Sequence, residues 1–196
     1  TITNFYGLYL GDITSGSGTV TNAYPIYQAG TNGYNYMAAK TGVGIAAPSG
    51  RLHVTESTVG NEVFRVESVA TNDDPAEIVY QGRQATTDAT VTTINTLAIA
   101  ATTTVEMEAW VVARRTGGSA GTAEDGAGYV IRGTYKNVAG TATLIGSVNA
   151  DYTAESQAGW DATFTVSAGN VLIRVTGAVN NNVTWHSTVR VWKVGS

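Results

Sequence analysis

Thr104-Val105-Glu106-Met107-Glu108-Ala109-Trp110-Val111-Val112-Ala113-Arg114-Arg115 decides the fold class. Val105, Met107, Ala109, Val111 and Ala113 recur at every second position, with Glu106, Glu108, Trp110, Val112 and Arg114 between them. A period of two puts these sets on opposite faces of a β-strand, one toward a core and one outward. The outward set begins charged and turns apolar at Trp110-Val112. An indole on such a face marks coverage by another element or another subunit.

Reading outward from this stretch, six more runs of the same kind give strands near 90–99, 128–137, 141–148, 161–167, 170–177 and 183–194. Gly-rich turns separate them. Thirty threonines and 23 glycines fit strands and tight turns, and charged residues at 13% fall well below the usual share of about 25%. The expected fold is all-β, with an antiparallel β-sandwich, jelly-roll-like, over 84–196. In the first strand Thr92 and Ile94 take one parity and Leu97 and Ile99 the other, which requires a bulge near Asn95-Thr96 or a change of sheet. Short connections (100–103, 138–140, 168–169) alternate with long ones (116–127, 149–160, 178–182), so the long ones gather at one end. That holds unless 151–157 forms an extra strand, which would swap every later loop to the other end.

Several functions are disfavoured at this level. Net charge is -4 and basic residues never cluster beyond Arg114-Arg115, so no footprint for nucleic acid is present. No apolar run approaches the roughly 20 residues of a membrane span, and membrane insertion is not expected. Cysteine is absent, which removes disulfides and thiolate metal sites. No cofactor motif occurs and none is expected.

The first fifth of the chain repeats itself. Ile2-Thr3-Asn4-Phe5-Tyr6-Gly7-Leu8-Tyr9 returns as Val20-Thr21-Asn22-Ala23-Tyr24-Pro25-Ile26-Tyr27. Residues 1–39 hold six tyrosines and a single charge, Asp12. Short repeats cannot bury their apolar faces alone, so another copy of the same chain is the expected partner. Beginning inside a repeat, the sequence reads as a fragment with more of this element upstream.

Val43-Gly44-Ile45, the Pro48-Ser49-Gly50 turn and Leu52-His53-Val54 follow. With the preceding Thr-Asn-x-Tyr-x-x-Tyr repeat, this order resembles the shaft-to-head passage of bacteriophage tail fibres and related trimeric virion fibres. The likeness covers roughly the first third. Family members usually carry Gly-Thr after Val-Gly-Ile, where this chain has Ala46-Ala47. The resemblance implies an extended trimeric β shaft over 1–57, a junction over 58–83 and the head over 84–196. It implies a homotrimer with Tyr6, Tyr9, Tyr24, Tyr27, Ile45, Leu52 and Trp110 between subunits, located on the virion outside the cell. Its partners would be other virion proteins and a host cell-surface glycan or protein receptor.

Candidate chemistry is sparse. Glu106 and Glu108 share a face about 7 Å apart by strand rise, a spacing that suits paired-carboxylate glycoside hydrolysis, but a solvated strand face is the favoured reading, since isolated carboxylates are seldom catalytic. His53 and His186 are the only imidazoles, no Gly-x-Ser-x-Gly occurs, and neither Asp73-Asp74 nor Glu124-Asp125 has the loop of a calcium site. No metal site is expected. Glycan binding is the remaining option, with Trp160, Asp161, Asn181 and His186 beside the long connections. Trp185 reads as core by its shared parity with Val183, Val189 and Val191, while Trp160 stays open between core and site. The expected function is non-catalytic, multivalent attachment to a host surface. The alternatives are a structural collar or decoration protein, a polysaccharide-degrading tailspike, and a bacterial trimeric adhesin.

Overall fold

The computed structural model describes residues 41–45, 47–67 and 75–195. The repeat tyrosines Tyr6, Tyr9, Tyr24 and Tyr27 lie outside these residues, as does Asp73-Asp74. Every regular element described is a strand: β1 (Thr41–Val43), β2 (Leu52–Val54), β3 (Glu62–Glu67), β4 (Ala76–Thr86), β5 (Thr92–Ala98), β6 (Thr104–Gly118), β7 (Gly126–Val138), β8 (Thr141–Glu155), β9 (Asp161–Ser167), β10 (Asn170–Thr176) and β11 (Asn181–Val194). They form three open sheets, of which the largest has the order β3-β4-β11-β6-β7-β8 and a smaller one β5-β10-β9. All pairings in these two sheets are antiparallel.

The period-two reading of β6 is realised residue by residue. Val105, Met107, Ala109, Val111 and Ala113 are buried, and Glu106, Trp110, Val112 and Arg114 are exposed. The buried set meets Ile94, Leu97, Phe164, Val171, Ile173 and Val175 of the small sheet in one core. Trp185 and Tyr135 anchor it, the first packed on Tyr129 and Trp160, the second edge-on to Phe164.

Two boundaries differ from the sequence expectation. Residues 76–83, expected in the junction, continue with 84–86 as one full strand of the large sheet, paired with β11 from Ala76↔Lys193 to Thr86↔Val183. The connection 149–160 is mostly strand, because β8 continues to Glu155 along β7. It does so past a break at 146–148, where Gly146 has φ 77° and the register with β7 shifts. No extra strand intervenes, so the loop parity stands. Ala120 N–H donates to Asn180 O (2.9 Å) and Gln157 Nε2 to the Asp125 carboxylate (2.7 Å) at one end. Ile99 N–H donates to Gly169 O (3.0 Å) and Ala142 N–H to Ala168 O (2.8 Å) at the other.

The parity break in β5 is a bulge. Asn95 pairs with Ile173 and Thr93 with Arg174, leaving Ile94 without an opposite number. Both Ile94 and Asn95 are consequently buried, and Asn95 Nδ2 donates to Ser187 Oγ across the two sheets (3.4 Å). Gly82 of β4 makes the space, since a Cβ there would run into the Asn95 amide. Gly82→Ala is expected to cost about 1–3 kcal/mol by overpacking, read as a lower urea midpoint at unchanged m-value.

β1 and β2 form a parallel pair of three residues each, Thr41↔Leu52 to Val43↔Val54. The glycines of its motif are required. A Cβ on Gly42 would collide with Ile45 O, and Gly44 (φ 75°) faces Thr55 O, whose residue donates its N–H to Val43 O (2.9 Å). His53 closes the turn by accepting the Ser49 N–H at Nδ1 (3.2 Å), a structural use of this imidazole.

Candidate functional site

Alternation gives the large sheet a second face, directed away from the core. Across it, Tyr152, Val130, Trp110 and Thr188 lie in one row, and Gly128, Val112 and His186 in the next. Trp110, Val112 and Tyr152 are 57%, 59% and 55% exposed. Three side chains this open, two on β6 and one on β8 with Val130 of β7 between them, form a patch of the kind that marks association. The Trp110 indole is oriented by its Nε1–H, which donates to Glu108 Oε1 (2.6 Å).

Nearer the short-connection end the same face turns polar. Arg132, Glu108 and Arg190 make one row, Thr134, Glu106, Trp192 and Glu77 the next. Glu106, Glu108, Arg132 and Trp192 line an open groove of about 290 Å³. Arg132 Nη2 binds Glu108 (2.7 Å) and reaches Asp151 (3.4 Å), while Arg190 lies 4.0 Å from Glu77.

The Glu108 carboxyl is held below its ordinary value chiefly by the hydrogen bond from Trp110, against the opposing effect of burial, with a further contribution from Arg132. A glycosidase acid needs the opposite shift. A lowered value also fixes the sign of the pH dependence: the stabilisation is complete above the ordinary carboxylate value of 4.5 and is lost as pH falls through the lowered one. The wild-type urea midpoint should therefore fall more steeply below pH 4.5 than that of Glu108→Gln, measured over the same pH series.

The four residues expected to bind sugar do not converge. Trp160 is 2% exposed, its ring edge-on to Trp185, so neither face is open for stacking on a sugar. Asn181 is 1% exposed at the long-loop end, against Gly121. Asp161 is exposed at the start of β9 on the small sheet, and His186 is exposed on the opposite side of the molecule's core, in a groove with Arg83, Arg114 and Thr184. Trp110 and Leu52 are exposed and Ile45 half-buried. Trp192 and Arg132 escaped the sequence reading, although Trp192 stands an odd seven positions after the core Trp185, which places it on the outer face. Among the described residues no group of three or more His, Asp or Glu is placed to hold a metal ion.

No protein-family model matches the chain, and no curated protein matches it. Among solved structures, the tailspike protein of Acinetobacter baumannii phage AM24 is similar over 61% of this chain and 27% of that chain, at 9% identity and a TM-score of 0.40. The likeness therefore spans about a quarter of that tailspike's length.

Proposed function

We propose that this chain is the shaft-to-head portion of a trimeric phage fibre, whose β-sandwich head attaches to a host-cell surface by repeated weak contacts and without turnover. The observation that carries this reading is the β1–β2 unit. It is the part of the described chain that bears the fibre-like motif, and it consists of two parallel three-residue strands with Val43 and Leu52 53% and 61% exposed. An isolated two-stranded unit is marginal in water even when antiparallel, and this one is shorter and parallel. Neighbouring copies supply the missing surface. The Trp110-Val112-Tyr152 patch supports the same conclusion for the head.

Threefold presentation, multiplied over many fibres on one particle, lets avidity stand in for affinity at each site. The reading is tested by mass measurement under native conditions on the full chain and on a form lacking residues 1–50. The expected result is three chain masses for the first and a shift toward one for the second. A single chain mass for the full chain at micromolar concentration overturns it. Incubating the trimer with host polysaccharide and measuring new reducing ends separates attachment from degradation.

A further inference from the structure

We infer that the Trp192 groove is a saccharide subsite selective for neutral or amino sugars over acidic ones, a reading that rests on the attachment function proposed above. Trp192 is 39% exposed and stands between two carboxylates, Glu106 directly opposite on β6 and Glu77 directly opposite on β4. An indole amid charged neighbours offers an apolar plane for the C–H face of a pyranose ring, and the groups around it are sorted for the hydroxyls. Glu106 accepts no hydrogen bond among the described residues, which leaves its carboxylate oxygens as acceptors. Arg132 uses Nη2 for Glu108 and Asp151, and its Nε and Nη1 have no partner among the described residues. An aromatic floor with an unused acceptor and, one strand further on the same side, unused donors matches a ligand dense in hydroxyl groups.

Two other occupants fit less well. An apolar surface of a second copy would take Glu106 out of water without giving it a partner, a costly arrangement, whereas the Trp110 patch farther along the strand has no such group. Those two halves of the face are about 13 Å apart by strand rise. Acidic ligands meet a local excess of like charge, since Glu77, Glu106, Glu108 and Asp151 surround the groove against Arg132, Arg190 and, one row further along β7, Lys136. The same excess favours a protonated amino sugar.

The experiment titrates the full chain with chitotriose, maltotriose, chitosan trimer and trigalacturonate, following saturation-transfer NMR and tryptophan fluorescence. Trp192→Ala and Glu106→Gln are run in parallel, with circular dichroism and native mass confirming unchanged fold and assembly. Millimolar binding of at least one neutral or amino trisaccharide is expected, weakened by about tenfold or more in Trp192→Ala and by a smaller factor in Glu106→Gln, with no binding of trigalacturonate. Absence of binding by all three neutral or amino sugars, an unchanged titration in Trp192→Ala, or preferential binding of trigalacturonate overturns the inference. Decoration of bacterial cells by the fluorescently labelled chain separates the two readings. If wild type and Trp192→Ala decorate cells equally, the subsite falls and attachment stands; if wild type decorates none of a panel of cells, attachment falls and the titration alone judges the groove.

Discussion

Trp185→Ala is expected to destabilise the two-sheet head by about 3–5 kcal/mol, the range for removing a large aromatic from a packed interior. Trp185 is fully buried and touches both Tyr129 and Trp160, with ring centroids 6.3 and 5.8 Å away. Its Nε1–H donates to Thr86 Oγ1 (2.9 Å), linking β11 to the end of β4 inside the core. Truncation thus leaves a cavity, strips two rings of a neighbour and orphans a buried hydroxyl at once. The loss is measured by guanidinium unfolding of the whole chain. Trp185→Phe keeps most of the volume but not the donor, and should lose clearly less than alanine does. A shift below about 1 kcal/mol for Trp185→Ala would contradict the packing described.

The second large effect falls on a tryptophan that lies outside the core. Trp110→Ala should lower the unfolding free energy of the dissociated chain by no more than about 1 kcal/mol, because the indole is more than half exposed and the change removes only its solvent-screened hydrogen bond to Glu108. In a threefold assembly that uses this patch, the same change removes an anchor from every subunit. Interface tryptophans are commonly worth about 2 kcal/mol or more each, so the trimer should dissociate at concentrations where wild type stays assembled. Sedimentation over a dilution series reads this directly. Unchanged assembly in Trp110→Ala would remove this patch from the proposed interface.

Much of the head was legible in the sequence because one rule governs it. Where a strand has one face in the core and one outside, as β6 does, parity reports burial, and the parity break in β5, which called for a bulge or a change of sheet, is met by a bulge at Ile94. β4 evaded the rule. After Tyr80 its buried positions are Gly82 and Thr86, small or polar because the bulged Asn95 amide faces the first and the Trp185 donor the second, while Gln84 between them is exposed. An inward face shaped around a polar side chain from the other sheet carries no apolar alternation to read. Trp160 evaded it for a different reason: it precedes β9 in a turn, and a period of two has no meaning outside a strand. The sugar candidates were chosen for closeness to loops, whereas the groups that share a groove, Glu106, Glu108, Arg132 and Trp192, come from three strands and meet only through sheet order.

β8 forms the outermost border of the large sheet, and there the break at Gly146 acquires a use. An uninterrupted fifteen-residue rim would template a further strand from any molecule alongside it. The positive-φ kink divides the row of free amides and carbonyls into two shorter stretches out of line with one another. Copies of this chain brought side by side are thereby discouraged from zipping into open-ended ribbons.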